Sequence, residues 1–211
     1  MIALSELEQD ALTEIFNIGV GLAADALYQM TGEHVPLSVP VVELTSQKGA
    51  REHFLEREKR PLCAIRQTYQ GAFNTEAVLM FPDEGRMHLV RMMVGDELPQ
   101  DQLAEVEQDA MGELGNIILN AVISNLATSL SMRLEGTLPV VTLASADTVL
   151  SVHAGSGGGV LDETTQVLAL MIDFELGRER VGGYLAFLLE PGSSQILLQH
   201  LSRYVGGDTA A

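Results

Sequence analysis

The reading of the fold turns on DALTEIFNIGVGLAADALYQM, residues 10–30, set beside DAMGELGNIILNAVISNLATS, residues 109–129. Asp10, Glu14 and Asn17 return as Asp109, Glu113 and Asn116, each displaced by 99 positions, and Pro40 returns as Pro139 at the same displacement. Over the 37 positions that start at Asp10 and Asp109, eleven pairs are identical, among them Ala11/Ala110, Ile18/Ile117, Leu27/Leu126, Val42/Val141 and Ser46/Ser145. Asparagine occurs five times in the chain, so its return in register, three residues after a glutamate, is informative. A fixed displacement over such a span marks an internal repeat. The 211 residues are therefore read as a single domain made of two repeats, about 1–98 and 99–211.

At 3.6 residues per turn, Leu12, Ile15, Phe16, Gly19, Leu22, Ala23, Ala26, Leu27 and Met30 share one side of a helix over about 4–30. Asp10, Glu14, Asn17 and Gly21 form a polar stripe on the other side. A second helix, over about 102–132, turns Met111, Leu114, Ile118, Ala121, Val122 and Leu126 inward and Asp109, Glu113, Asn116 and Asn120 outward. Asn125 falls on the inward side, where its amide needs a buried partner. Strands rich in Val, Leu and aromatics follow at 36–45, 62–70 and 77–81, and again at 137–143, 167–174 and 182–189. Helices at 83–94 and 193–205, preceded by Pro82 and Pro191, close the two copies. The order helix-strand-strand-strand-helix, twice, predicts an α+β protein with pseudo-two-fold symmetry. Two antiparallel three-stranded units join into one sheet packed against the two long helices.

Composition removes several classes of function. Twelve Lys and Arg against 29 Asp and Glu give a formal charge of -17, which repels a phosphate backbone and argues against nucleic acid. The lone Cys63 forms no internal disulfide and reads as a buried strand residue. Five histidines without shared spacing give no metal motif, so no bound cofactor is expected. No apolar run reaches the roughly 20 residues of a spanning helix, and MIALSELEQD lacks the features of a signal peptide, so the expected location is the cytoplasm. Residues 47–60, QKGAREHFLEREKR, read as a solvated loop or short helix, and Met80, Met87, Met92 and Met93 as core filler. The cluster Gly155 to Gly159 lacks the Gly-Lys-Ser/Thr ending of a phosphate loop and reads as a connection between strands.

The doubled Asp-x3-Glu-x2-Asn pattern carries the chemistry. Glu14 and Asn17, like Glu113 and Asn116, are neighbours on an exposed helix face, where both can enter a partner's cleft together. An amide both donates to and accepts from a water, so it orients that water without changing its own protonation. A carboxylate anchors a partner's lysine or arginine. Neither group is a nucleophile with an activating base, so the chemistry is completed on a partner. A single Glu-x2-Asn would ordinarily be read as a solvated helix face. Its duplication, with a proline at the same distance, overturns that reading, because the inward pairs Phe16/Gly115 and Gly19/Ile118 have drifted while the polar residues have not.

At these residues the chain resembles the CheC/CheX/FliY family of bacterial chemotaxis phosphatases, whose motif is Asp or Ser, x3-Glu-x2-Asn, then a proline about 22 residues on. Two motifs in a chain of this length resemble the CheC branch most. The resemblance implies dephosphorylation of the aspartyl-phosphate of a CheY-type response regulator. By that resemblance, Asn17 and Asn116 position the attacking water, and Glu14 and Glu113 contact the regulator's lysine. Asp10 and Asp109 would have a supporting role, and Pro40 and Pro139 would shape the entry to a strand. Mg²⁺ would belong to the regulator. The CheD deamidase is a further partner that the resemblance implies, and a binding adaptor for CheD or the regulator is the alternative function. A flagellar-switch component is the third. A pseudo-symmetric chain is expected to be a monomer without membrane insertion.

Overall fold

The computed structural model describes residues 4–38, 42–95, 99–151, 166–176 and 179–207. Among these, one order of elements runs twice. The first pass is α1 (Glu6–Thr31), β1 (Leu37–Ser38), β2 (Val42–Ser46), α2 (Gln47–Arg57), β3 (Leu62–Gly71), β4 (Thr75–Pro82) and α3 (Asp83–Val94). The second is α4 (Gln100–Ser129), β5 (Leu134–Gly136), β6 (Val140–Ala144), α5 (Ala146–Ser151), β7 (Gln166–Leu176), β8 (Glu179–Leu189) and α6 (Ser193–Gly206). The fold is α+β with one antiparallel sheet, as the sequence predicts. Within the expected strand 36–45 the described residues form β1 and β2, and the expected strand 137–143 begins only at Val140, as β6, with the unexpected β5 before it. The break between β5 and β6 falls at 137–139, where Pro139 has no N–H to give to a ladder.

The strand order β1-β7-β8-β4-β3-β5, with β2 also on β7 and β6 also on β3, corrects the expectation of two sequential three-stranded units. Hairpin β3–β4 takes β5 and β6 from the second pass, and hairpin β7–β8 takes β1 and β2 from the first. The two hairpins meet along β4 and β8. Helices α2 and α5 are the crossovers that this exchange requires. Ala50 and Phe54 of α2 and Val149 and Leu150 of α5 pack on Leu62, Val78, Met80, Val167 and Leu188 across the second face of the sheet. The short-helix alternative for 47–60 holds over Gln47–Arg57, with one side buried against the sheet rather than solvated, and Phe54 meets Tyr184 edge to face at 4.5 Å.

The larger core lies on the other face, under α1, α3, α4 and α6. Helix α1 starts in a capping box, with the Glu8 N–H donating to Ser5 Oγ and the Ser5 N–H to the Glu8 carboxylate, and it ends at Gly32 with φ 75°. Leu12, Ile15, Phe16, Gly19, Ala23 and Leu27 are buried as expected. Leu22 and Met30 are not, being 49% and 44% exposed. Leu22 lies at the margin of the inward arc, and Tyr28, Gln29 and Met30 belong to a last turn that is exposed all round. Val20, outside the assigned arc, is buried instead.

Close contact between α1 and α4 explains two residues that sequence leaves open. The Asn125 amide donates to the Ile15 carbonyl at 2.7 Å, which is its buried partner. A Cβ on Gly19 would lie 3.0 Å from Val122 Cα, so any side chain there would press the two helix backbones apart by a few tenths of an ångström. The drift from Phe16 to Gly115 is an exchange of filler. Phe16 reaches from α1 to stack on Phe187 of β8, whereas at Gly115 the space is filled from the strand by Ile65. Cys63 is fully buried, and burial pushes its thiol up to about 11. Met80 and Met92 are buried, and Met87 and Met93 pack against the main core.

Candidate functional site

Both polar stripes lie on the solvent side of the helical layer. Asp10, Glu14 and Gly21 of α1 are exposed and Asn17 is half-buried; Asp109 and Glu113 of α4 are exposed and Asn116 and Asn120 half-buried. Each Glu and Asn share a face one turn apart because three residues advance a helix by less than a full turn. Glu14 and Glu113 make no hydrogen bond or ion pair among the described residues. Their charges are available to a partner.

Pro139 sits half-buried directly before β6, beside the second stripe. Its neighbours Leu138 and Val140 are 84% and 56% exposed, and Leu143 is 58% exposed. Val140 and Leu143 point to opposite faces of β6, and Leu143 shares with Val141 the face toward α4. On α1 exposed apolar side chains come from the helix itself, Ile18 and Leu22. Pro40 and Gly155 to Gly159 lie outside the described residues.

The two sites differ in what holds the asparagine. Asn116 Oδ1 accepts from Asn120 Nδ2 at 2.7 Å. Asn120 Oδ1 in turn accepts from Tyr69 Oη at 3.0 Å and from Gln67 Nε2 at 3.3 Å. Tyr69 and Gln67 stand on β3, next to β5 and β6, and so belong to the sequence half opposite to Asn116. Gly21 occupies the position of Asn120 in α1 and has no side chain to offer. Sequence reasoning had Asn120 in the stripe but missed Tyr69 and Gln67. No periodicity points to them, because strand pairing alone brings them to α4.

Among the described residues, no group of three or more His, Cys, Asp or Glu side chains comes together in a way that could hold a metal ion. No helix among them is long and apolar enough to cross a membrane.

Comparisons with known proteins agree with this architecture. The family described as "Chemotaxis phosphatase CheX" matches residues 63–160, and the "CheC-like family" matches residues 7–44. The flagellar motor switch phosphatase FliY of Bacillus subtilis is 26% identical over 142 residues, which are 66% of this chain and 36% of FliY. The CheY-P phosphatase CheC of the same organism is 25% identical over 153 residues, 70% of this chain and 72% of CheC. The chain thus spans about a third of one of these relatives and most of the other. Among solved structures, Thermotoga maritima FliY superposes with a TM-score of 0.75 at 19% identity, over 96% of this chain and 100% of that one. At that identity the likeness is one of fold.

Proposed function

Because the chain belongs to the CheC/CheX/FliY family, we propose that it removes the phosphoryl group from the aspartyl-phosphate of a CheY-type response regulator. The observation that carries this reading is the repeated pair itself: a free carboxylate and a half-buried amide, one turn apart, on the exposed sides of two helices. A helix face enters a cleft as a rigid unit, so Glu14 with Asn17, or Glu113 with Asn116, would arrive already in relative register.

In this reaction a water attacks phosphorus in line with the bond to the aspartyl oxygen. That P–O bond breaks, and the products are inorganic phosphate and the regulator's free carboxylate. The asparagine orients the water, and the glutamate binds the regulator's lysine and so sets the depth and angle of insertion. Mg²⁺ on the regulator would neutralise charge on the phosphoryl oxygens. This chain contributes positioning, so no nucleophile of its own is required. Asp10 and Asp109 extend the acidic surface that meets a basic rim. Pro139, directly before β6, shapes the entry to that strand.

Leu143, 58% exposed on the side of β6 that faces α4, favours a second reading, in which the chain chiefly holds the regulator or a CheD-type deamidase. The decay of a phosphorylated CheY-type regulator, measured alone and with catalytic amounts of this protein, separates the two. Wild type should accelerate decay, Asn17→Ala and Asn116→Ala should each reduce the effect, and the double change should abolish it while binding persists. Binding with no acceleration by wild type would transfer the role to the adaptor reading. A single protomer in solution is expected under either reading.

A further inference from the structure

We propose that Tyr69, Gln67 and Asn120 form a positioning relay that fixes which end of the Asn116 amide faces the reaction. The proposal rests on the phosphatase reading above and assigns new residues to its second site.

Donor and acceptor bookkeeping drives the relay in one direction. The Thr137 carbonyl can only accept, and Gln67 Nε2 donates to it at 2.7 Å, so the orientation of the Gln67 amide is set by the backbone. The opposite orientation would press oxygen against oxygen. The same Gln67 Nε2 and the Tyr69 hydroxyl both point at Asn120 Oδ1. Tyr69 is buried, and burial raises its phenol above the ordinary range, so it remains a donor. With both lone pairs of Asn120 Oδ1 taken, its Nδ2 must face the other way, and there it donates to Asn116 Oδ1. Asn116 is left with its NH2 group and one lone pair for water and phosphoryl oxygen. The fold accepts a cost for this arrangement, since Gln67 Oε1 is buried with no partner.

The strand exchange makes the relay possible. Thr137 lies in the break between β5 and β6, where its N–H donates to the Thr68 carbonyl at 2.9 Å while its own carbonyl is left to Gln67. Gly21 excludes the same link to Asn17.

The test uses the full chain carrying Asn17→Ala, so that only the second site reports. Tyr69→Phe deletes one hydroxyl. Asn120→Asp keeps the acceptors for Tyr69 and Gln67 but presents an oxygen to Asn116 and so reverses its amide. Each should lower kcat for regulator dephosphorylation about tenfold with KM unchanged, and each should move the Asn116 side-chain NH2 signals in a ¹⁵N–¹H spectrum. Activity equal to the Asn17→Ala parent, or unmoved NH2 signals, overturns the relay while the phosphatase reading stands. If wild type itself leaves the regulator's decay unchanged, the phosphatase reading fails and the positioning role fails with it.

Discussion

Gly115 shows how a single missing side chain sets the height of a helix above the sheet. A Cβ there would lie 2.3 Å from Ile65 Cγ2 and 3.1 Å from Ile65 Cβ, which is too close to the strand backbone for a rotamer change to relieve. Alanine is the better helix former by about 1 kcal/mol, so propensity favours Gly115→Ala. Overpacking costs about 1–3 kcal/mol and should win. Gly115→Ala is therefore expected to lower the urea midpoint, and Ile65→Ala combined with it should destabilise by less than the sum of the two changes. A midpoint that rises for the single variant would mean that α4 can lift off β3 at little cost. At this scale the placement of the candidate residues was legible in the sequence, since Glu14, Asn17, Glu113 and Asn116 repeat in register and lie on the helix faces where helical spacing puts them. Leu22 and Met30 were misplaced for a physical reason: periodicity gives the direction of a side chain from its helix but not where the neighbouring layer ends.

Between elements, Glu58 ties the end of α2 to the start of β3. Its carboxylate is almost wholly buried and accepts from Arg60 Nη2 at 2.6 Å and Nε at 2.8 Å, and Arg60 also reaches Glu84 of α3. The Arg60 hydrogen bonds hold the Glu58 carboxyl below its ordinary value of 4.5, outweighing the burial that would raise it. A folded-state value below the unfolded one gives stability that is complete above pH 4.5 and is lost as pH falls through the lowered value. Total stability against pH would not isolate this, because protonating a chain of charge -17 also relieves its self-repulsion. The difference between wild type and Glu58→Gln does isolate it. That difference should be largest at neutral pH and shrink below pH 4.5, as read from denaturant midpoints across the range. A difference constant with pH would place the Arg60 contact outside the folding equilibrium. Helix α2 itself was only half legible, because Ala50 and Phe54 are the buried apolar side chains in a segment otherwise dense in charge. The second face of the sheet that they cover cannot be read from local pattern.

For the whole molecule, the exchange of strands decides what can fold alone. The sequence conveys two copies and predicts one sheet, but it cannot say that β1 and β2 leave their own hairpin to pair with β7, or that β5 and β6 pair with β3. Period and composition describe a strand's faces and are silent about its partner across the edge. A fragment of residues 1–98 would carry hairpin β3–β4 with both outer edges unpaired, α1 without the helix it packs against, and β1 and β2 without β7. Bare edges and an uncovered core face are costly and invite pairing with another chain. Neither residues 1–98 nor residues 99–211 should therefore yield a folded monomer. Each should be unfolded, or folded only by pairing with a second copy that supplies the exchanged strands. Mixing the two fragments should restore native circular dichroism and a dispersed amide spectrum with one-to-one stoichiometry. Cooperative unfolding of either fragment at a sedimentation mass of one copy would contradict the exchange. It would also cut the path by which Tyr69 and Gln67 of one half reach Asn116 of the other, since that contact exists only because β3 lies beside β5 and β6.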